Sequence, residues 1–394
     1  MKREIVLYLF FISIFVIGCS SDKEPHVDLP YIDVRKNYPE KEINLTDIAN
    51  VTYLHLNTES DDFLYKGGID YVTQNTIVIV DRSSHSVLFF SKDGTPKSRF
   101  NRRGQGPEEY LSVFTVMYDE TTDEVYITPE FSNYIIIYSS SGEYKRRLTL
   151  PRTNIDGHTV LFDDQSILVY DNSKMWQNIR KKYSGDNTAF TEQVDSTFFL
   201  ISKTDGTVLE YILLPNHNID LSYRFDGGGF GVPMFARVRK CLDGIFLYNP
   251  ETDTVFLYSK NKTLTPYMHK KPLLSDLDPM IVMDICMDAG SIQFLSLIPY
   301  MSKGRTSSEQ YYLRDKKTGE IFRQKNILPD YKGKNFYVNP RFSIYYENEY
   351  HFELDLIELK QAYRENKLSG QLKELVATLN ENEDNSVFML VDFK

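Results

Sequence analysis

The chain has 394 residues, 41% of them hydrophobic and 25% charged, with 20 Gly and 16 Pro. This composition excludes wholesale disorder, collagen and coiled coil, and the length permits a large core. With 45 basic residues against 55 acidic ones the net charge is −10, a surface that repels phosphate backbones and argues against a nucleic-acid partner.

Aromatic residues are abundant and lopsided, 28 Tyr and 25 Phe against one Trp, which favours pleated structure. At the N-terminus, Lys2 and Arg3 precede an almost wholly apolar run from Ile5 to Ile17. A run of about 13 residues is too short for a spanning helix and suits the core of a signal peptide. No other stretch approaches the roughly 20 apolar residues of a membrane span.

The run ends Val16-Ile17-Gly18-Cys19-Ser20, which resembles the bacterial lipobox. The resemblance implies that residues 1–18 are a lipoprotein signal peptide and that Cys19 is acylated. Its acyl chains would then attach the protein to the membrane. Residues 19–41 are expected to be the lipidated Cys and a polar tether, most clearly over Ser20–Pro30. Asp22-Lys23-Glu24 loosely resembles the acidic export signals that send some lipoproteins to the outer face of the outer membrane. A plain polar tether explains the same residues. The expected location is the bacterial cell envelope, lipid-anchored to the outer membrane, with the periplasmic or surface side left open.

Val51 to Leu56 alternates apolar and polar residues, a strand with one buried face. A unit then recurs: an apolar strand, a polar turn, a second apolar strand and a short closing turn often ending in Gly. The copies are Ile77–Asp81 with Ser86–Phe90, Val125–Thr128 with Tyr134–Tyr138, Ile167–Tyr170 with Phe198–Ile201, Ile245–Tyr248 with Thr254–Tyr258, and Ile292–Leu295 with Tyr311–Leu313. Their closing turns end at Gly94, Gly142, Gly206, Lys262 and Gly319, spaced 48, 64, 56 and 57 residues apart. Earlier apolar segments such as Phe114–Tyr118 and Met280–Met283 bring each unit to about four strands. A sixth unit starts near Tyr337, with a hairpin about Glu347–Glu349. Two short helices follow over 355–364 and 371–379, then a last strand over 387–391.

This pattern predicts an all-β chain, one six-bladed β-propeller over 42–394, with a short C-terminal helix pair inserted before the last strand. The strand at about 51–56 helps close the last blade, removing two free sheet edges. Tandem β-sandwiches of about 100 residues each fit the spacing less well.

Ile77–Asp81, His85, Val87–Phe90, Asp93-Gly94 and Arg103-Gly-Gln-Gly-Pro-Glu-Glu-Tyr110 resemble an NHL-type blade. With the lipobox, six units and the helix pair, nearly the whole mature chain resembles the six-bladed β-propeller lipoproteins of Bacteroidota. The family implies fold and address and brings no catalytic residues. Only the Gly104–Tyr110 loop is specific, and the fourth unit departs from the pattern with Lys262 in place of Gly.

Candidate binding residues fall in three places. Arg102 and Arg103, with the amides around Gly104 and Gly106, form a candidate anion loop, although the same residues also suit an inter-blade connection. An insertion over 171–195 holds Trp176, Arg180 and Tyr183 beside Lys181 and Lys182. A second long loop, about 215–233, carries Tyr223, Arg224, Phe225 and Phe230 around the run Gly227–Gly231. Aromatic faces next to polar groups suit a glycan or a peptide, and long loops on a rigid scaffold are where binding resides.

No motif assigns chemistry. The seven His are not paired at metal-ligand spacing, and neither HExxH nor GxSxG occurs. Asp119, Asp123, Asp163, Asp164, Asp243 and Asp288 lie near turns where carboxylates can hold Ca2+, but Asp is also an ordinary turn residue. No metal or other cofactor is therefore assigned. Cys241 and Cys286 are expected to be free, buried thiols.

The function expected is a lipid-anchored binding or scaffold module for a glycan, peptide or partner protein. The alternative is a lactonase- or glycosidase-like propeller hydrolase, with carboxylates or a metal at the channel mouth.

Overall fold

In a computed structural model, the structure describes residues 29–58, 61–130, 132–151, 159–171, 181–182, 197–214, 223–224, 230–231, 238–249, 252–277, 279–300, 309–338, 345–346 and 349–394. Six antiparallel sheets follow one another around a ring, each the blade of a propeller. Blade 1 runs from inner to outer edge as Ile69–Val72, Thr76–Val80, Val87–Ser91 and Pro96–Phe100. Blade 2 is Thr115–Asp119, Glu124–Thr128, Tyr134–Tyr138 and Tyr144–Thr149. Blade 3 is Thr159–Leu161, Ser166–Tyr170, Phe198–Ser202 and Val208–Ile212. Blade 4 is Val238–Cys241, Gly244–Leu247, Thr254–Ser259 and Leu264–Lys271. Blade 5 is Met280–Ala289, Ile292–Tyr300, Gln310–Asp315 and Ile321–Ile327. Blade 6 is Tyr345–Tyr346, Glu349–Leu354, Val387–Phe393 and, taken from the other end of the chain, Ala49–His55.

The sequence pattern follows from this stacking. A second strand such as Thr76–Val80 is sandwiched between two neighbouring blades, so every residue is buried and the run is continuously apolar. An outer strand such as Pro96–Phe100 meets solvent and alternates, with Lys97 and Arg99 outward. The core accordingly lies in wedges between blades. Val78, Val80 and Phe89 of blade 1 meet Val116, Ile127 and Tyr138 of blade 2. Leu54, Leu56 and Phe388 of blade 6 meet Ile77, Ile79 and Phe90 of blade 1 across the closing seam.

The closing turns are tied to the preceding blade. Gly94, Gly142 and Gly206 have φ of 89°, 83° and 78°. A Cβ on Gly94 would lie 2.3 Å from the His55 carbonyl oxygen of blade 6. One on Gly142 would lie 2.5 Å from Phe100 Cβ of blade 1, and one on Gly206 2.8 Å from the Thr149 carbonyl oxygen of blade 2. Gly is therefore needed there for the turn and for the close approach. In blade 4 the equivalent Lys262 adopts φ 61°, and its ammonium lies 3.6 Å from Asp163 of blade 3. In blade 5 nothing lies within 4 Å of a Cβ on Gly319.

The segment expected to be tether over 19–41 is structured from its later part. Tyr31–Asp33 adds a parallel strand to the outer edge of blade 4, and Glu40–Asn44 adds one to blade 5. Helix α1, Leu45–Ile48, then leads into the blade 6 strand, its first turn capped by Asn44, whose Oδ1 accepts from the Thr46 amide at 3.3 Å. This strap spans three consecutive blades from outside. Short polar strands such as Glu40–Asn44 carry little apolar alternation; they are held by backbone pairing to an edge, which composition does not reveal.

The helix pair inserted in blade 6 is α2, Leu356–Arg364, and α3, Gly370–Thr378. Asp355 caps α2 by accepting from the Glu358 amide at 2.8 Å. Leu356, Leu359, Leu372 and Val376, spaced by three and four residues, seal the blade 5–blade 6 wedge. Cys241 is half-buried and Cys286 buried, and both are free. Burial pushes the Cys241 thiol up to about 11 and raises that of Cys286 further.

Candidate functional site

Strand direction gives the ring two unlike ends. Within a blade each neighbouring pair is antiparallel, so the first–second and third–fourth connections share one end. The second–third and blade-to-blade connections share the other. At the first end the described connections are tight turns of at most five residues, such as 73–75, 120–123, 139–143 and 316–320. At the second end lie 101–114, 171–197, 213–237, 328–344 and 355–386. The two are called here the turn face and the loop face.

The turn face is knitted by polar contacts between blades. Lys203 Nζ lies 2.9 Å from Asp119 Oδ2, joining blade 3 to blade 2. The Glu120 carboxylate of blade 2 accepts from Thr76 Oγ1 at 2.5 Å and Thr73 Oγ1 at 3.1 Å of blade 1. Burial works against the Glu120 charge, but these hydrogen bonds hold its pKa below the ordinary value. At the closing seam Glu349 lies 2.5 Å from Lys92 Nζ and 2.8 Å from His351 Nε2. His351, with Lys92, holds the Glu349 carboxyl down at about 2, while burial lowers the His351 pKa and favours the neutral imidazole.

The inner strands meet across the centre near this same face. Lys240 of blade 4 donates from Nζ to the Tyr71 hydroxyl of blade 1 at 3.3 Å, and its Nζ lies 5.7 Å from the Tyr71 ring centroid. Blades 1 and 4 stand opposite in a ring of six, so this contact bars the channel.

Beside the bar, Arg239 and Asp284, on the inner strands of blades 4 and 5, form a buried two-pronged pair. Nε–Oδ1 is 3.0 Å and Nη2–Oδ2 is 2.6 Å, with side chains 5% and 8% exposed. Burial opposes the Arg239 charge, yet Asp284 outweighs it and keeps the pKa above its ordinary value. Tyr248 locks the same seam, its hydroxyl accepting from the Ile285 amide at 2.5 Å and donating to the Ile285 carbonyl at 3.0 Å.

On blade 1, Asp70 Oδ2 accepts from the Val80 amide at 2.6 Å, and its other oxygen pairs with Arg82. Burial pushes the Asp70 carboxyl up to about 6 against the pull of Arg82. Sequence reading missed these residues. Asp284 lies within the largely apolar Met280–Ala289 and Arg239 beside Lys240 within Val238–Cys241; the pairing itself is three-dimensional.

The candidate anion loop is occupied by its own chain. The Gly104 amide donates to the Tyr110 carbonyl at 3.0 Å, the Arg103 amide to Asn101 Oδ1 at 2.8 Å, and the Gly106 amide to Glu109 Oε2 at 2.8 Å. A Cβ on Gly104 would lie 1.9 Å from Glu109 Oε2, so the concave side is filled by that carboxylate. Arg102 donates from Nε to the Gly142 carbonyl at 2.7 Å, tying blade 1 to blade 2. Tyr110 is buried, and its hydroxyl donates to the His85 carbonyl at 2.8 Å. These contacts engage Arg102, Gly104 and Gly106 in a connection between blades, with Arg102 and Arg103 both exposed.

Cys19, Trp176, Arg180, Tyr183 and Phe225 lie outside the described residues. Tyr223–Arg224 pairs antiparallel with Phe230–Gly231, Arg224 opposite Phe230, in a short hairpin on the blade 3–blade 4 connection. Among the described residues no three His, Cys, Asp or Glu side chains come together as a metal set. No helix among them is long and apolar enough to cross a membrane.

The family described as Domain of unknown function (DUF4934) matches residues 29–271. A Bacteroides fragilis protein described as exported is similar in structure, with TM-score 0.62 and 16% identity, over 93% of this chain and 99% of that one. A member of the DUF4221 family from Bacteroides vulgatus aligns with TM-score 0.48 and 12% identity, over 88% and 97%. No curated protein matches the chain.

Proposed function

The chain belongs to the DUF4934 family, and from that premise we propose that it is a lipid-anchored recognition propeller of the bacterial cell envelope that binds a glycan or peptide at its loop face. One observation carries this reading: the long connections leave one end of the ring, while the other end is held by tight turns and barred by Lys240 and Tyr71. A rigid scaffold with one elaborated face is the usual arrangement of a binding module. The insertion of blade 3, which carries Trp176 in sequence, and the blade 3–blade 4 connection, which carries Tyr223, Arg224 and Phe230, both begin at strand ends on that face. The lipobox-like Val16–Ser20 and the exported Bacteroides fragilis protein of the same fold support an envelope address.

The test is a glycan and peptide array probed with residues 20–394 and with Trp176→Ala. Saturable binding that falls about tenfold or more in the variant, roughly the stacking energy of one aromatic face, is the expected result. Turnover of a substrate by the same protein, abolished by a single carboxylate substitution, would replace this reading with an enzymatic one.

A further inference from the structure

The strap places the entry of the chain on the rim of the ring. Tyr31–Asp33 pairs parallel with the last three residues of Leu264–Lys271, and the Pro30 carbonyl accepts from the His269 amide at 3.0 Å. The described chain therefore begins at the outer edge of blade 4. Cys19 lies ten positions before Leu29, a reach of at most about 35 Å. That edge also has an unusual surface. Tyr31 is 48% exposed and Leu273 55%, two large apolar groups on the same edge. The Tyr31 ring stacks on His269 at 5.6 Å, and Lys271 Nζ lies 4.3 Å from its centroid. Arg35 and Lys36 are exposed directly after the strand. Arg35 donates from Nη2 to the Asp276 carbonyl at 3.0 Å, which holds it beside Leu273. The neighbouring carboxylates are Asp33, whose Oδ1 accepts from the Arg35 amide at 3.0 Å, Asp276, and Asp253, which accepts from the Leu274 amide at 2.8 Å and is paired with Lys270.

We propose that this rim, Tyr31, Arg35, Lys36, Lys271 and Leu273, docks on an anionic phospholipid surface. The proposal rests on the lipid-anchored reading. Its occupant follows from two things: a short tether beginning at this edge, and three exposed cations around an apolar pair in a chain of net charge −10. Aromatic and leucine side chains suit the headgroup boundary, and each cation near an anionic surface adds of order 1 kcal/mol.

The test uses residues 20–394 without acylation, which keep every described strand, with vesicles of phosphatidylethanolamine and about 30% phosphatidylglycerol against zwitterionic vesicles. Sedimentation should show at least about fivefold more binding to the anionic vesicles, falling as salt rises. Arg35→Glu with Lys36→Glu and Lys271→Glu should remove that difference while the thermal unfolding midpoint stays within about 2 °C. Tyr31→Ser with Leu273→Ser should weaken binding without removing the salt dependence. Equal binding by wild type and the triple variant, or none by wild type, overturns the docking proposal. Intact mass of the membrane-extracted full chain reports acylation at Cys19 separately, so failure of the rim and failure of the anchor are distinguished.

Discussion

The ammonium of Lys240 and the hydroxyl of Tyr71 meet at 3.3 Å, although their strands belong to blades on opposite sides of the ring. The contact ties blade 1 to blade 4 without passing through blades 2, 3, 5 or 6. Tyr71→Phe with Lys240→Met should show a coupling energy of about 0.5–1.5 kcal/mol in a double-mutant cycle of urea unfolding. Strict additivity would mean that the two side chains do not hold one another.

The buried pair of Arg239 and Asp284 behaves differently from the surface pairs of the turn face. Arg239→Leu or Asp284→Leu alone leaves a charge in the wedge between blades 4 and 5, at a cost of about 3–5 kcal/mol. The double variant should be clearly more stable than the sum of the single losses predicts. Chemical denaturation of all four proteins reads this directly, and additive losses would contradict it.

Equivalent glycines are not equivalent in cost. Gly142→Ala sets a Cβ 2.5 Å from Phe100 Cβ at φ 83°, and should lose about 2–4 kcal/mol by combined strain and overpacking. Gly319→Ala meets nothing within 4 Å and should lose about 1 kcal/mol, the left-handed backbone alone. Similar melting shifts for the two would mean that the approach to the preceding blade carries no energy.

Asp70 gives the fold a pH signature. Burial raises its folded pKa to about 6, above the ordinary carboxylate value near 4, so the folded chain holds the proton more tightly than the unfolded one. Its contribution to stability is full below about pH 4 and is lost as pH rises to about 6. Asp70→Asn should flatten that interval in a melting-temperature series. An unchanged slope would assign the titration to another group.

Legibility differed between the parts of the molecule for physical reasons. The closing turns at Gly94, Gly142, Gly206 and Gly319 were readable because strands buried on both sides must be apolar, and because a left-handed turn residue favours Gly. Even Lys262, which breaks the sequence pattern, keeps the backbone conformation at φ 61°. The strap was not readable, because Tyr31–Asp33 and Glu40–Asn44 pair through peptide groups and carry no strong period. In the loop over 102–110 the amides of Arg103, Gly104 and Gly106 donate to Asn101, Tyr110 and Glu109 of the same chain, partners that composition does not reveal. Asp284 sits among apolar residues and Arg239 beside Lys240, and only the ring brings their strands together as a pair.

The pairing of Ala49–His55 with Val387–Phe393 also governs the order in which the molecule can be made. Among the described residues, the strand nearest the N-terminal strap finds its partner only in the strand nearest the other end. A chain threaded across a membrane from its N-terminus therefore emerges with an unpaired edge and must wait for almost all of the rest before the ring can shut. Contacts so distant in sequence make for slow folding, and the waiting edge is open to mispairing throughout. Closure is thus set within blade 6, by the pairing of an early strand with a late one.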